Sequence, residues 1–229
     1  MNQTLAPARI RTFFPATSSR GARVLLSYGA LAGPLYVVVA TAQAILRDGF
    51  DIRQHAVSLL SNGALGWIQV TNFLLAGVLT ILGAVGVRDC LRGKPGGRWA
   101  PRLIALYGVS FIGAAAFTAD PSFGFPAGTP DGPGPVSWHG LLHLLCGFVG
   151  FVGFVVACFV MARHFSRGGH RGWAVLSRCM GVFFLAAFVG IASGAGKAPV
   201  NIAFTAAIGL GWLWLTAVTL RLRRDTLGG

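Results

Sequence analysis

Six long apolar stretches run through this chain, at 24–46, 66–87, 103–119, 139–162, 179–196 and 200–220, and they restrict it to one kind of fold. A segment inside hydrocarbon finds no water for its backbone, so it must be a helix or a strand of a closed barrel. Crossing a layer about 30 Å thick takes about 20 apolar residues as a helix, and these stretches match that length. Only 11% of residues are charged against 54% hydrophobic, far from the balance of a soluble domain. The expected fold is therefore all-α: a polytopic membrane protein with a single bundle of six transmembrane helices. The spans use most of the 229 residues, which leaves no room for a soluble domain. They form one transmembrane domain over 24–220. A disordered basic arm (1–23) precedes it and a short basic tail (221–229) follows.

Charge orients the bundle. All but Arg47, Arg53 and Lys197 of the 19 basic residues fall in the N-terminal arm, in the 88–102 and 163–178 gaps, or in the tail. Positively charged loops stay cytoplasmic, so both termini are expected inside. A net charge of +13 in a soluble protein would point to nucleic acid. Here it is spread over membrane loops with no folded basic face, so nucleic acid is not an expected partner. Anionic lipid headgroups are. The expected location is the cell membrane, crossed several times. The run Ala40-Thr41-Ala42-Gln43-Ala44 has the look of a signal-peptidase site. The arm before it is long and the apolar stretch is long enough to span, which favours a retained helix.

Small residues mark where helices touch in lipid. Gly29 and Gly33 lie four apart in the first span, just before Pro34, which should bend that helix. Gly147, Gly150 and Gly153 recur in the fourth span, and packing within the bundle is their expected use. Trp67, Trp99, Trp138 and Trp173 fall at span ends, the position of interfacial anchors. Trp212 and Trp214 lie deeper, against lipid or neighbouring helices. The four cysteines form no CxxC and are expected to act as buried small hydrophobes. No inverted repeat of the transporter kind is visible.

Any chemistry belongs to the outer side, where Asp48, Asp51, Asp120, Asp131, His55, His139 and His143 collect. The chain has no glutamate. Asp51, His55, Ser58 and Asn62 recur with helical spacing, which predicts a short amphipathic helix lying at the surface. Gln69 and Asn72 open the second span and need polar partners, as glue between helices or as ligand contacts. Asp120 closes the third span, where a carboxylate opposes the helix dipole and must find a donor or cation elsewhere. The loop from Pro121 to Trp138 has five prolines and reads as a lid or a stiff connector. His139 and His143 lie four apart, and both are expected to face into the bundle on a stripe shared with Gly147 and Gly150. That spacing suits two imidazoles on one metal. With His55 and Asp120 they would make a zinc ligand set, while a hydrogen-bonded polar plug is the competing reading. His164 and His170 sit among arginines on the cytoplasmic side and read as headgroup contacts.

Several segments together resemble the bacterial and archaeal membrane family catalogued as domain of unknown function 998. They are Gly33-Pro34, His55-Ala-Val-Ser58 leading to Gly66-Trp67-Ile-Gln69, Asn72-Phe73 with Gly77, Asp120-Pro121, and His139. The resemblance implies a six-helix integral membrane protein and brings no substrate or reaction with it. A looser similarity joins Ser58, His55, Asp120, His139 and His143 to the zinc-dependent lipid amidases of the seven-helix ceramidase-and-receptor hydrolase superfamily. Helix count and motif order differ, so that likeness is one of residue types alone.

Two kinds of function remain open. The favoured one is a small binding or accessory membrane protein whose outer polar site takes a lipid headgroup or small solute through His55, Ser58, Gln69, Asn72, Asp120, His139 and His143. The alternative is a metal-dependent hydrolase of a lipid amide or ester. There His55, His139 and His143 would hold zinc, Asp120 would be the fourth ligand or general base, and Ser58 would orient the intermediate.

Overall fold

A computed structural model describes residues 19–194 and 197–226. It is all-α, with α1 (Ser19–Leu46), α2 (Gly66–Cys90), α3 (Ala100–Ala116), α4 (Trp138–Arg167), α5 (Arg171–Gly194) and α6 (Ala198–Asp225). A 3₁₀ turn at Val57–Ser61 interrupts the link from α1 to α2. Five of the helices are long and apolar enough to cross a membrane, and α3, at 17 residues, is the shorter apolar one. Most of the helices run past the apolar stretches at the end that carries the arginines. Hydropathy marks only the stretch that hydrocarbon would cover, whereas backbone hydrogen bonding continues beyond it. Residues 19–23 and 221–225, expected in the arm and tail, are accordingly turns of α1 and α6. The rest of the expected arm, 1–18, and residues 227–229 lie outside the described residues.

Each helix packs on its sequence neighbours, and α6 returns to α1, so the six form a closed ring. Glycine sets the tightest approaches. A Cβ on Gly83 would lie 2.5 Å from the Gly29 Cα, and one on Gly77 would lie 2.6 Å from the Gly108 carbonyl oxygen. Gly29 and Gly33 thus serve packing within the ring, Gly29 against α2 and Gly33 against the Trp212 backbone of α6. Pro34 lies inside α1 and has no N–H to give the carbonyl of Ala30. The hydroxyl of Thr216 on α6 donates to that carbonyl at 3.1 Å, so the loss in one helix becomes a bond between two.

Aromatic rings fill the ring's axis. Tyr36 of α1 packs on Phe73 of α2, Phe111 of α3 and Trp212 of α6, with centroids 5.0–6.1 Å apart. Tyr107 continues the cluster to Phe154 of α4, and Phe154 reaches Phe184 of α5. Trp212 and Trp214 are therefore core residues, and the Trp214 indole donates to Ser177 Oγ at 3.1 Å. Trp67, Trp99 and Trp138 are exposed at helix ends, where anchors belong. The cysteines are unpaired. Cys158 is buried, but Cys179 is exposed, contrary to the expectation for all four, because it lies on the outward face of α5.

Replacing Gly83 with Ala should destabilise the protein by about 1–3 kcal/mol, since backbone faces the added methyl. Gly172→Ala, with nothing within 4 Å of its Cβ, should change little. Thermal melting of both variants in detergent checks the pair.

Candidate functional site: a capped chamber

Two connections close the ring at the end opposite the arginines. The first, between α1 and α2, is expected to be a single amphipathic helix from Asp51. It is instead a turn at 52–54, an extended break at Ala56 (φ −65, ψ 145) and the 3₁₀ turn. The helical pattern loses to tertiary contacts. Leu59 and Leu60 are buried beneath the second loop with Phe125, and a continuous α-helix would lie differently on that surface. Arg47, just past α1, donates to the carbonyls of Leu60 at 2.5 Å and Asn62 at 2.6 Å, and its guanidinium stands 4.9 Å over the Phe125 ring. Asp51 pairs with the adjacent Arg53 at 2.7 Å, and these hydrogen bonds hold its carboxyl at about 2.

The second connection, 117–137, folds back on itself. Ser122 and Phe125 exchange backbone hydrogen bonds, and Phe123 N–H donates to the Gly132 carbonyl at 2.6 Å. Phe123 takes a positive φ of 54°, which costs a non-glycine residue and persists only where neighbours hold it. His55 is one such neighbour. Its Nδ1 accepts from Asp51 N–H at 2.8 Å, so Nε2 carries the proton it donates to the Phe123 carbonyl at 2.9 Å. The ring lies between Phe50 and Phe125 and is buried. This histidine fastens one loop to the other, and both its nitrogens are committed. The prolyl loop is neither an open lid nor a plain connector. Together the two loops make a folded cap.

Beneath the cap lies a chamber of about 780 Å³. Phe73, Phe111 and Phe151 form its apolar floor, and Phe188, Phe204 and Ile208 line its far wall. Gln54, Ser58, Ser110, Ser122, Asp120, His143, Asn201 and Thr205 are among its polar lining residues. Leu141, Leu144, Leu145 and Phe148 of α4 also line it, and all four are more than half exposed on the outside of the ring. The chamber thus reaches the apolar side wall as well as the cap.

Asp120 lies past the end of α3, in extended chain, and so escapes the dipole of its own helix. Its carboxylate accepts from the Ser137 N–H at 2.7 Å and the Ser137 hydroxyl at 2.5 Å. The Ser137 oxygen in turn accepts from Gly140 N–H and caps α4. The charge is placed at the helix end whose dipole favours an anion. Gly140 is required there, because a Cβ would collide with the carboxylate. The donor that Asp120 needs comes from the next helix, not from an imidazole.

His143 and His139 part company. His143 is buried on the α3 side of α4, where its Nδ1 donates to the Phe117 carbonyl at 2.8 Å. That carbonyl belongs to the C-terminal edge of α3 and would otherwise lack a partner. His139 is exposed and lies against Trp138 with centroids 3.5 Å apart, because the helix end carries it beyond the cap. Gln69 and Asn72 do not reach the chamber. Gln69 Oε1 accepts from Gln43 Nε2 at 2.8 Å and Asn72 Nδ2 at 3.3 Å, and Asn72 also donates to the Tyr36 carbonyl. They join α1 to α2.

Of the residues expected to form a site, the chamber gathers Ser58, Asp120 and His143. His55 is built into the cap, His139 is exposed, and Gln69 and Asn72 lie between helices. Among the described residues no three His, Cys, Asp or Glu side chains come together as a metal-holding group. Asn201 is not among the residues expected from the sequence; it is buried, lines the chamber and donates to the Arg53 carbonyl at 3.1 Å. An amide in an end turn of an apolar span was the available signal, the same one that drew attention to Gln69 and would also have found Gln43. Ser110 and Thr205 gave none, since hydroxyl residues are common in such helices.

The ring of long apolar helices defines a multi-pass membrane protein with a capped chamber at one end. Within that class the chain belongs to the family described as protein of unknown function (DUF998), whose model matches residues 30–221, from α1 through α6. No curated protein and no solved structure matches it.

His55→Ala should release the cap while leaving the ring intact. Loss of two buried hydrogen bonds costs about 1–3 kcal/mol. Hydrogen exchange should speed up in 50–62 and 121–136 and stay slow in α1, α2 and α6.

Proposed function

We propose that this is a small binding protein of the cell membrane whose capped chamber takes an amphipathic ligand dissolved in the bilayer. The observation that carries the reading is the chamber's composition: a largely apolar interior, polar groups gathered toward the cap, and a wall whose leucines are exposed where lipid would lie. Its volume suits one ligand of drug or single-chain size. A tail would occupy the aromatic floor and a polar head would meet Ser58, Asn201 and His143. Entry from the bilayer spares the tail any exposure to water. The described residues supply the hydrolase alternative with no assembled ligand set.

The basic end faces the cytoplasm in this reading, with Lys94 and its neighbouring arginines against anionic headgroups. The cap then faces outward. Cysteine placed beside Asp131 should react with an impermeant reagent added to intact cells, and cysteine beside Lys94 should not; the opposite pattern reverses the orientation.

Mass spectrometry of the protein purified in native-lipid discs tests the binding reading. One lipid class should stay with the protein after exchange into detergent. Ala192→Trp, which puts a large ring into the chamber wall of α5, should lose it. Equal lipid content in both proteins would overturn the proposal.

A further inference from the structure

The chamber's charges select among bilayer ligands, and this step rests on the binding reading above. Among its described lining residues there is no lysine or arginine, and Asp120 is the only one of them with a formal charge. Asp120 already accepts two hydrogen bonds from Ser137, so its charge is satisfied within the protein. An anionic head would enter with no cation to receive it and with a carboxylate nearby. Unpaired burial of a charge costs far more than any contact the apolar walls return. Heads whose net charge is negative, with phosphate, sulfate or carboxylate unpaired, are therefore disfavoured, which sets aside the anionic lipids.

The remaining groups specify what a head must offer. His143 spends its Nδ1 proton on the Phe117 carbonyl, so the neutral ring has Nε2 left as an acceptor. Thr205 lines the chamber with an Oγ1 that is buried and has no partner. A buried hydroxyl without a partner is uncommon in folded proteins and calls for an explanation. A ligand hydroxyl answers both, donating to an acceptor and accepting from a donor. An ester or ether oxygen alone could accept but not donate.

We infer that the chamber selects an uncharged single-chain lipid whose head carries hydroxyl groups, of the monoacylglycerol or long-chain alcohol kind. The tail lies against Phe111, Phe151 and Phe204, and the head bonds to His143 and Thr205. One chain fits the volume, and the side wall admits it directly from the bilayer.

Three lipids with the same oleyl-type chain separate the outcomes: monooleoylglycerol, oleyl sulfate and oleyl trimethylammonium. Each, radiolabelled, is equilibrated with the full-length protein in nanodiscs, and retention is compared with protein-free discs. Monooleoylglycerol should be retained at about one per protein, with oleyl sulfate at least about tenfold weaker. Gly147→Leu should abolish retention, since Gly147 lines the chamber and its Cβ direction meets only Phe151 at 3.6 Å. Val38→Phe, on an exposed face of α1 outside the chamber lining, should leave it unchanged. Thr205→Val keeps the shape and removes the hydroxyl, and should weaken monooleoylglycerol by about tenfold. Retention of oleyl sulfate or oleyl trimethylammonium equal to or above monooleoylglycerol, lost in Gly147→Leu, would overturn the selection for a neutral head while keeping the chamber as a lipid site. No effect of Thr205→Val would overturn the hydroxyl assignment. Failure of all three lipids to exceed protein-free discs would overturn the binding reading itself.

Discussion

Backbone contact between helices governs this protein. In a bilayer the hydrophobic effect does not draw one apolar helix to another, so association depends on how closely they can approach. Gly29 against Gly83 and Gly77 against Gly108 provide that closeness on both faces of α2. Once α2 is held between α1 and α3, the remaining helices complete the ring around side chains of fixed size. The axis can then be filled only by flat rings, which Tyr36, Phe73, Phe111 and Trp212 supply. Toward the cap the rings no longer fill the space, and a chamber remains. Tight packing at one level and an open volume at the next are two results of one geometry.

The cap turns that volume into a site. It is built from side chains that correct backbone deficits: His55 receives an N–H and serves a carbonyl, Arg47 serves two carbonyls, and His143 serves the last turn of α3. Polar residues that look catalytic in a list are here largely structural. This is the expected use of buried hydrogen-bonding groups, since leaving one unpaired costs about 1–3 kcal/mol. Thr205 is an exception that lines the chamber, with a buried Oγ1 that has no partner among the described residues.

Much of the fold was legible in the residues. Apolar length located the helices, and small residues at Gly29, Gly33 and Gly150 marked contacts that exist. Helix ends were less legible, because hydrogen bonding runs past the apolar stretch at one end of α1 and stops short of it in α3. The site was legible only in part. Helical spacing placed His139 and His143 on one face but could not show that the helix end carries His139 clear of the bundle. The 51–62 segment has a helical pattern, and its conformation was decided by Phe125, some 65 residues away. Asp120 was expected to need a donor because it would oppose the α3 dipole, yet α3 ends at Ala116; that its donor is Ser137 depends on how α4 begins beside it, which no local pattern encodes.

The shortness of α3 has a consequence for the surrounding lipid. Seventeen residues reach about 25 Å, while hydrocarbon is about 30 Å thick and the neighbouring helices exceed it. The protein's apolar belt is therefore uneven around its circumference, lower along α3 than on the other sides. Acyl chains bordering α3 must shorten or tilt to match it, at a cost of a fraction of a kcal/mol for each ångström. The next helix in the ring, α4, carries the exposed leucine wall of the chamber. The lowest part of the apolar belt thus adjoins the helix whose exposed leucines border the chamber.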